Sequence, residues 1–348
     1  MARRIIIVGS INTDLVATVD HFPALGETVI GRSFGTFGGG KGANQAMAAA
    51  RLGAPVMLVG VVGTDAYGDE QLVDLASEGV EIAAVARVSG VPSGIALIQV
   101  NADAENTITI VPGANGTVTA ERVEQVLPGA LRPGDVLCCQ TELPLGTIAQ
   151  ALEIAGRAGP LRVLNAAPVS AGVRDLVPQA DILIVNEVDA TDLAGLPDVG
   201  TESASKVSGE LAGLGPSVVI ITLGAAGAYV RSPEFAELVA SPPVPVVDTT
   251  GAGDAFIGAF LTWTTDGRST KHSGPASPLA LAVRTPGAQA SLPTREALTT
   301  FLLPLTQHPS PSPSLHAGGR EARMTTESLP SPRIGRGAGG EGRPLTSS

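Results

Sequence analysis

The residues best suited to chemistry lie at Asp248–Asp254, where two aspartates flank a short run of threonine, glycine and alanine. The small, apolar run Ala255–Phe260 that follows predicts a helix, so the glycines fall at a helix start. Unpaired backbone N–H groups and positive potential at such a start suit a phosphoryl group. A first-turn carboxylate can accept a proton from an attacking hydroxyl. We interpret Asp254 as a base beside an anion hole formed by Gly251, Ala252 and Gly253; an ordinary helix start with an acidic first turn is the alternative.

A second glycine-rich stretch occupies Gly38–Ala46. Its spacing differs from the P-loop pattern Gly-x-x-x-x-Gly-Lys-Ser/Thr. Glycines allow close approach of the backbone to a ligand, and Asn44 offers both a donor and an acceptor for vicinal hydroxyls. The stretch therefore fits a polyol-binding turn, with a flexible loop entering a helix as the structural alternative.

The first predicted strand, Ile5–Val8, is followed directly by Gly9–Asp14. Open α/β sheets bind ligands at the carboxyl ends of their strands, where Asn12 and Asp14 are expected to lie. A carboxylate there can accept hydrogen bonds from sugar hydroxyls, whereas an Asx turn closing a loop is the simpler interpretation of Asp14 alone. The missing Gly-x-Gly-x-x-Gly disfavours a dinucleotide-dependent oxidoreductase.

Weaker signals follow three further predicted strands, and they all fall at the same end of the predicted sheet. They are Glu142, Asn186 and the turn Thr222–Gly227, which includes Gly224. Each alone is typical of turn chemistry, but together they place polar groups where a pocket is expected. The four histidines show no metal-ligand spacing.

The elements that must position these residues alternate between apolar β-type runs and helical patterns. This alternation predicts an α/β fold with a mostly parallel central sheet and helices on both faces. The predicted strands are Ile5–Val8, Val56–Val62, Val136–Cys139, Val163–Leu164, Ile182–Val185 and Val218–Thr222. The predicted helices are Ala43–Leu52, Gln71–Ser77, Glu121–Val126, Thr147–Ala155 and Glu202–Leu211.

Three further stretches do not fit the alternation. Glu27–Ser33, Gly94–Val100 and Thr107–Val111 have strand composition and are joined by turn-rich segments. We interpret them as a small β lid whose strands lie within about 12–40 and 92–112. Extra edge strands of the same sheet are the alternative.

Composition limits the class of protein. The 348 residues are 44% hydrophobic with a net charge of −11 and no basic run, which argues against nucleic acid or an anionic membrane as a partner. The charge-free stretch Leu211–Val230 contains a proline and glycines, and it indicates a helix end, a turn and a buried strand rather than a membrane span. Two adjacent cysteines, Cys138 and Cys139, and no recognisable signal peptide fit a cytoplasmic protein.

The chain changes character towards its carboxyl end. We expect one domain over residues 1–305 and a disordered tail over 306–348, because the tail is rich in Pro, Ser, Gly and Arg. The polar stretch 265–278 interrupts a region that otherwise has a helical pattern. We hypothesise that this stretch reflects a local change of reading frame.

On the three motifs Gly9–Asp14, Gly39–Ala46 and Asp248–Asp254, the sequence resembles the PfkB family of carbohydrate kinases from about Arg3 to Leu303. The resemblance implies a Rossmann-like central sheet with a β lid that also forms a homodimer contact. It implies transfer of the ATP γ-phosphoryl group to a primary hydroxyl, which is the 5-hydroxyl for D-ribose. Two alternatives stay open: another sugar or nucleoside acceptor, and a sugar-binding homologue that has lost phosphoryl transfer.

The resemblance also assigns site residues. The sugar-binding positions would be Asn12, Asp14, Gly40, Lys41, Gly42, Asn44, Glu142 and Asp254, with Asp254 as base. The nucleotide positions would be Asn186, Thr222, Gly224, Gly227 and Gly253. A potassium site would involve Asp248, Thr250, Ala282, Thr285, Gly287 and Ser291, and Mg²⁺ would arrive with ATP. The family's Asn-x-x-Glu appears here as Asn186–Asp189, with a shorter carboxylate at its end.

Overall fold

A computed structural model describes residues 3–103, 105–196, 200–245, 251–265, 288–289 and 291–298. Nine strands form a central sheet in the order β13-β12-β11-β10-β9-β8-β1-β4-β5. The pairings from β11 through to β5 are parallel, and β12 and β13 are antiparallel. These strands are β1 Ile5–Val8, β4 Val56–Gly63, β5 Val85–Val88, β8 Val136–Gln140, β9 Leu161–Asn165, β10 Ile182–Asn186, β11 Val218–Thr222, β12 Ala228–Arg231 and β13 Ala236–Val239.

Seven α-helices lie in the described part of the chain. They are α1 Lys41–Arg51, α2 Ala66–Ser77, α3 Ala120–Ala130, α4 Leu145–Ala158, α5 Glu187–Ala194, α6 Ala204–Ala212 and α7 Ala252–Thr265. Side-chain N-caps define where three of these helices begin. Asp65, Thr119 and Asn186 each accept a hydrogen bond from a backbone N–H in the first turn of α2, α3 and α5, respectively. All five helices predicted from the sequence are present, each with bounds shifted by a few residues.

The helices cover both faces of the central sheet. Strand β1 is an example. Ile6 and Val8 belong to the same core cluster as buried residues of α3 and α4, whereas Ile5 and Ile7 belong to the cluster that contains α1 and α7. Successive side chains of a strand point to opposite faces, so a strand covered on both sides must be apolar throughout. The predicted α/β class with a mostly parallel sheet is confirmed.

Four further strands form a second sheet in the order β3-β2-β6-β7, which we call the lid. They are β2 Asn12–Thr18, β3 Ser33–Gly39, β6 Gly94–Val100 and β7 Asn106–Val111. The lid is a separate sheet rather than a set of extra edge strands of the central one. Strand β2 pairs antiparallel with β3 and parallel with β6.

The predicted strand Glu27–Ser33 is wrong, since only Ser33 belongs to a strand. The β-branched residues Thr28 to Ile30 attracted the prediction, but they have no pairing partner among the described strands, and Ile30 is 88% exposed. The strand instead runs through Ser33–Gly39, whose backbone pairs with β2 along its whole length. Backbone pairing has outweighed side-chain propensity here.

The stretch Leu211–Val230 contains the end of α6, then β11, a turn and most of β12, as the sequence indicates. None of the helices described is both long and apolar enough to cross a membrane. The compact unit that contains the site is bounded at Gln307. The proposed tail 306–348 and all but the first residue of the 265–278 stretch lie outside the described residues.

Candidate active site

A cavity of about 290 Å³ lies between the lid and the carboxyl edge of the central sheet. Its polar lining comes from Asn12, Asp14, Gly40, Lys41, Asn44, Asn106, Glu142, Gly251 and Asp254, and its apolar lining from Ala96, Ile98, Ile108, Ile110 and Ala288. The structure therefore brings most of the predicted sugar-binding residues together around one space. Gly42, at the start of α1, does not line the cavity, and its backbone lies against Gly9.

Asp254 lies in the first turn of α7 with only 7% of its surface exposed. The Nδ2 amide of Asn44 donates to its Oδ2 at 2.9 Å, and the Nε2 amide of Gln45 donates to its Oδ1 at 2.9 Å. Both carboxylate oxygens are thus held by amides of α1, while the residue still lines the cavity. Sequence reasoning missed Gln45; its signal was a large polar residue in an otherwise alanine-rich helix.

Close packing of α1 on α7 makes these bonds reachable. One turn after Asp254, a Cβ on Gly258 would lie 2.4 Å from the Ala48 Cβ and 2.8 Å from the Ala49 nitrogen. One turn separates Ala48 from Asn44 in the same way. Small residues at this crossing bring the two helix backbones close together.

The two glycines at the start of α7 differ in their surroundings. Gly251 has φ +77°, and a Cβ there would meet the Ala288 carbonyl oxygen at 2.7 Å, so this position requires glycine. A Cβ on Gly253 would meet nothing within 4 Å among the described residues. The first N–H groups of a helix have no intrahelical acceptor. Gly251, Ala252 and Gly253 stay the predicted positions of the anion hole.

The start of α1 is capped from within the protein. The Glu142 Oε2 accepts hydrogen bonds from the Lys41 amide at 3.0 Å and from the Ser10 hydroxyl, and Ala43 N–H donates to the Ser10 carbonyl at 2.9 Å. The Gly42 N–H donates to the Ser10 hydroxyl oxygen at 3.4 Å and the Asn44 N–H to the Gly40 carbonyl at 2.9 Å, so four backbone donors of the Gly40–Asn44 stretch are occupied by protein acceptors. Glu142 both fixes α1 and lines the cavity.

Asn12 has a fixed orientation because Asn115 holds it. The Asn115 Nδ2 donates to the Asn12 Oδ1 at 2.7 Å and to the Ile11 carbonyl at 3.0 Å, while its Oδ1 accepts from the Ile11 amide at 2.9 Å. Asn12 consequently has its amide N–H donors available for the cavity. Sequence reasoning missed Asn115, which lies in a glycine-flanked turn that looks like a simple connection.

Four charged side chains set the electrostatics of the cavity. Burial, followed by the nearby carboxylates of Glu142 and Asp254, raises the pKa of Asp14 to about 7. Burial alone would lower the pKa of Lys41, but Asp254, Glu142 and Asp189 together raise it above its ordinary value. A cavity of this kind favours ligands that supply hydroxyl donors to carboxylates.

The predicted nucleotide positions do not line this cavity. Asn186 and Thr222 are paired in register at the carboxyl ends of β10 and β11. Asn186 is exposed and caps α5 by accepting the Asp189 N–H at 2.7 Å. Gly224 is exposed, whereas Gly227 has φ +105° against the backbone of 239–241 and has a structural reason to be glycine.

Asp189 connects the two sets of residues. It is 8% exposed, and its Oδ1 accepts the Val169 N–H at 3.0 Å. Burial raises its pKa, while the Val169 N–H and the Lys41 ammonium lower it, so Lys41 acts on carboxylates of both regions. Of the predicted potassium positions only Ser291 is described: it is buried and donates to the Ala288 carbonyl at 2.9 Å. Asp248, Thr250, Ala282, Thr285 and Gly287 lie outside the described residues.

A carboxylate in the first turn of a helix, lining a polar cavity beside a second sheet, fits a kinase that acts on a polyol. The chain belongs to the pfkB family of carbohydrate kinases, whose family model matches residues 2–295. The predicted family is confirmed.

Within the family, the relatives point to a narrower group. The chain is 36% identical over 305 residues to a ribokinase from Haemophilus influenzae, covering 87% of this chain and 99% of that one. It is 35% identical to a ribokinase from Staphylococcus aureus, over 85% of this chain and 98% of the relative. The structure of Arabidopsis thaliana ribokinase complexed with ribose and ATP superposes with a TM-score of 0.77 at 30% identity, covering 87% of this chain and 99% of that chain. A deoxyribokinase from Salmonella typhi is 32% identical over 86% of this chain and 98% of its own length.

Proposed function

We propose that this protein phosphorylates D-ribose at its 5-hydroxyl with ATP as the donor, giving ribose 5-phosphate. The observation that carries the proposal is the position of Asp254. It is held by two amides of α1 at the start of α7, and it lines the cavity that also contains Asn12, Asp14 and Glu142. The similarity to ribokinases, one of them complexed with ribose and ATP, supports ribose and ATP as substrates.

The cavity supplies complementary groups for a pentose. Asp14 and Glu142 offer carboxylate oxygens to sugar hydroxyls, and Asn12 offers amide donors. The buried Asn44 Oδ1 has no hydrogen-bond partner among the described residues and can accept from a hydroxyl as well. The apolar side chains of Ile98 and Ile110 would cover the sugar ring and exclude water.

In the proposed reaction, the 5-hydroxyl oxygen attacks the γ-phosphorus while the bond from that phosphorus to the β,γ-bridging oxygen breaks. Asp254 accepts the hydroxyl proton, and ADP leaves. The amides of Gly251, Ala252 and Gly253 stabilise the negative charge on the transferring group. Lys41, whose pKa is raised by the surrounding carboxylates, adds a positive charge near the phosphates.

The nucleotide would lie along the carboxyl ends of β10 and β11, in contact with Asn186, Thr222, Gly224 and Gly227. Mg²⁺ would supply charge neutralisation of the ATP phosphates. Asp189 fits a water-mediated contact to that ion, because its carboxylate lies close to both Lys41 and the nucleotide position Asn186. For a potassium activator, Asp248, Thr250, Ala282, Thr285, Gly287 and Ser291 remain the proposed positions.

We further propose a cytoplasmic homodimer that forms through the lid. Exposed apolar side chains on the lid support this contact, among them Phe34, Phe37, Leu97 and Ile108. Cys138 and Cys139 are free and buried, which fits a reducing compartment. We also propose one domain over residues 1–305 followed by a disordered tail.

The decisive experiment measures ADP release by the purified full-length chain with D-ribose, 2-deoxyribose, other sugars and nucleosides. It is run with Mg²⁺, with and without K⁺. We expect the highest kcat/KM with D-ribose and a stimulation by K⁺. Preference for deoxyribose or a nucleoside would reassign the substrate. Calorimetric binding of ribose without ADP release would identify a sugar-binding protein that has lost transfer.

Replacing the proposed base tests the mechanism. Asp254→Asn keeps the size of the side chain but removes the proton acceptor, so kcat should fall about 10²–10⁴-fold while KM for ribose stays within about three-fold. Steady-state kinetics with ribose measures both parameters. Turnover by this variant within a few-fold of the parent would remove Asp254 from the role of base.

A further inference from the structure

Gln45 is a fully buried glutamine that contacts the carboxylate of Asp254 but does not line the cavity. Its neighbour Asn44 reaches the same carboxylate and does line the cavity. The two amides therefore approach Asp254 differently, one in contact with the ligand space and one from within the protein. None of the proposed binding roles accounts for the second amide.

Hydrogen bonds fix the direction in which Gln45 points its amide. The Gln45 Nε2 donates to the Asn165 Oδ1 at 3.0 Å and to the Asp254 Oδ1 at 2.9 Å, and its Oε1 accepts from the Gln140 Nε2 at 2.6 Å. A reversed Gln45 amide would place its oxygen against two acceptors. Only one orientation satisfies Asn165 and Asp254 together.

The orientation of Asn165 is itself set by the backbone. Its Nδ2 donates to the Ile184 carbonyl of β10 at 3.1 Å, so its Oδ1 must face Gln45. A main-chain carbonyl of the central sheet thus determines, through two side-chain amides, that Asp254 receives an N–H rather than an oxygen. Buried amides in such a chain are costly unless each bond is made.

We propose that Gln45 is a positioning residue for the reaction: through the chain Asn165–Gln45–Asp254 it keeps the Asp254 carboxylate aimed at the cavity without touching the substrate. The inference rests on the proposed function, because it takes Asp254 as the base. A general base must be aligned with the hydroxyl whose proton it accepts, and the two amide bonds set the direction in which the Asp254 carboxylate points.

Other titratable groups interact with Asp254, and their effects must be separated from that of Gln45. They are Asp14 on β2, Lys41 on α1 and Cys138 on β8, with Glu142 acting on Asp14 and Lys41. The pKa of Asp14 is about 7, and this residue is expected to affect ribose binding. The readout for Gln45 is therefore kcat at saturating ribose and ATP, where binding no longer contributes, set against KM for ribose.

The test variant is Gln45→Leu, with Gln45→Met as an unbranched alternative of similar length if the first does not fold. We expect kcat to fall about 10–10²-fold, with KM for ribose within about three-fold of the parent. Gln140→Met removes the Gln140 donor to the Gln45 Oε1 and the 3.6 Å contact of the same amide with the Cys138 sulfur, and it should give the same changes at smaller size.

The matched control is Gln71→Leu. Gln71 is a buried glutamine on α2, at 3% exposure, whose Oε1 has no hydrogen-bond partner among the described residues. It should leave kcat and KM for ribose unchanged, and thermal unfolding of every variant reports any loss of stability. A Gln45 variant that loses stability but keeps the parent kcat would overturn the inference. So would a rise in KM at constant kcat, since it would assign Gln45 to binding.

The same series separates this inference from the proposed function. A parent chain without ribose-dependent ADP release overturns the proposed function itself. If Asp254→Asn loses activity while Gln45→Leu and Gln45→Met do not, the function stands and the positioning role fails. Loss of activity in Asp254→Asn, together with a smaller loss of kcat at unchanged KM for ribose in the Gln45 variants, supports the inference.

Discussion

The central sheet and the lid border the same cavity, yet they are stabilised in different ways. Strands β1, β4 and β8 are buried along their whole length, whereas all six residues of β7 are exposed. The central sheet therefore holds Asp254, Asn44 and Glu142 in a rigid, densely bonded arrangement. The lid covers the cavity with apolar side chains but buries little of its own surface. Few buried contacts suit an element that must admit and release a sugar.

The largest effect should come from the central sheet. Leu137 on β8 is fully buried, and Leu137→Ala should lower the free energy of unfolding by about 2–5 kcal/mol, because it removes buried methyl groups and leaves a cavity. Urea unfolding followed by circular dichroism measures the change. A loss below about 1 kcal/mol would show that this sheet is less tightly packed than its burial indicates.

Asp14 lies where the lid strand β2 faces the central sheet, and its pKa is raised to about 7 from an ordinary value of 3.8. Between these values the native state binds a proton that the unfolded chain does not, so this group makes stability fall as pH rises from about 4 to 7. Asp14→Asn should therefore stabilise the ligand-free protein at pH 8, on the order of a few kcal/mol, and much less at pH 5.

The same substitution should weaken ribose binding by about ten-fold or more, because an asparagine side chain has one acceptor oxygen where the carboxylate of Asp14 has two. Unfolding at the two pH values and calorimetric titration with ribose give the two results. Equal stabilisation at both pH values would show that the Asp14 charge is not buried at a cost in the native state.

Asn115 joins the two regions, since it holds both the backbone of Ile11 and the side chain of Asn12. Asn115→Asp keeps the acceptor but removes both donors. KM for ribose should rise about 5–50-fold with a smaller change in kcat, the equivalent of one or two lost hydrogen bonds. Steady-state kinetics over a range of ribose concentrations measures both. An unchanged KM would mean that Asn12 keeps its orientation without help.

The smallest effect should come from the lid. Leu97 on β6 is 46% exposed, and Leu97→Ala makes the same chemical change as Leu137→Ala on the other sheet. In the monomeric fraction from size-exclusion chromatography, the loss of stability should stay below about 1 kcal/mol. A loss as large as that of Leu137→Ala would erase the distinction between the two sheets.

The same distinction decides how far the sequence predicts the fold. Strands of the central sheet are apolar throughout because both faces are covered, so Ile5–Val8 and Val218–Thr222 are predicted with the bounds that the structure has. In the lid, Ser33–Gly39 contains three glycines and is held by pairing with β2. No local pattern predicts that pairing, and the β-branched Thr28–Ile30 nearby misleads.

The site divides along similar lines. Asp254, Asn44 and Asp14 are predicted because their residue types and local motifs carry chemistry. Gln45 and Asn115 are not, because each acts on another side chain that is distant in sequence, at separations of 209 and 103 residues. Residues of this kind can be recognised only from the tertiary contact that they make. Neither hydrophobic periodicity nor a local motif predicts such a contact.

The absence of a side chain at Gly258 limits which substitutions this enzyme can tolerate. A single methyl group there would collide with Ala48 and push apart the two helices that carry Asp254 and its amides. Hydrogen bonds require a narrow range of distance and angle, so reactivity at one turn of α7 is tied to atomic crowding at the next. Substitutions deep in the protein, far from any ligand, can thereby alter turnover while every residue of the binding cavity stays the same.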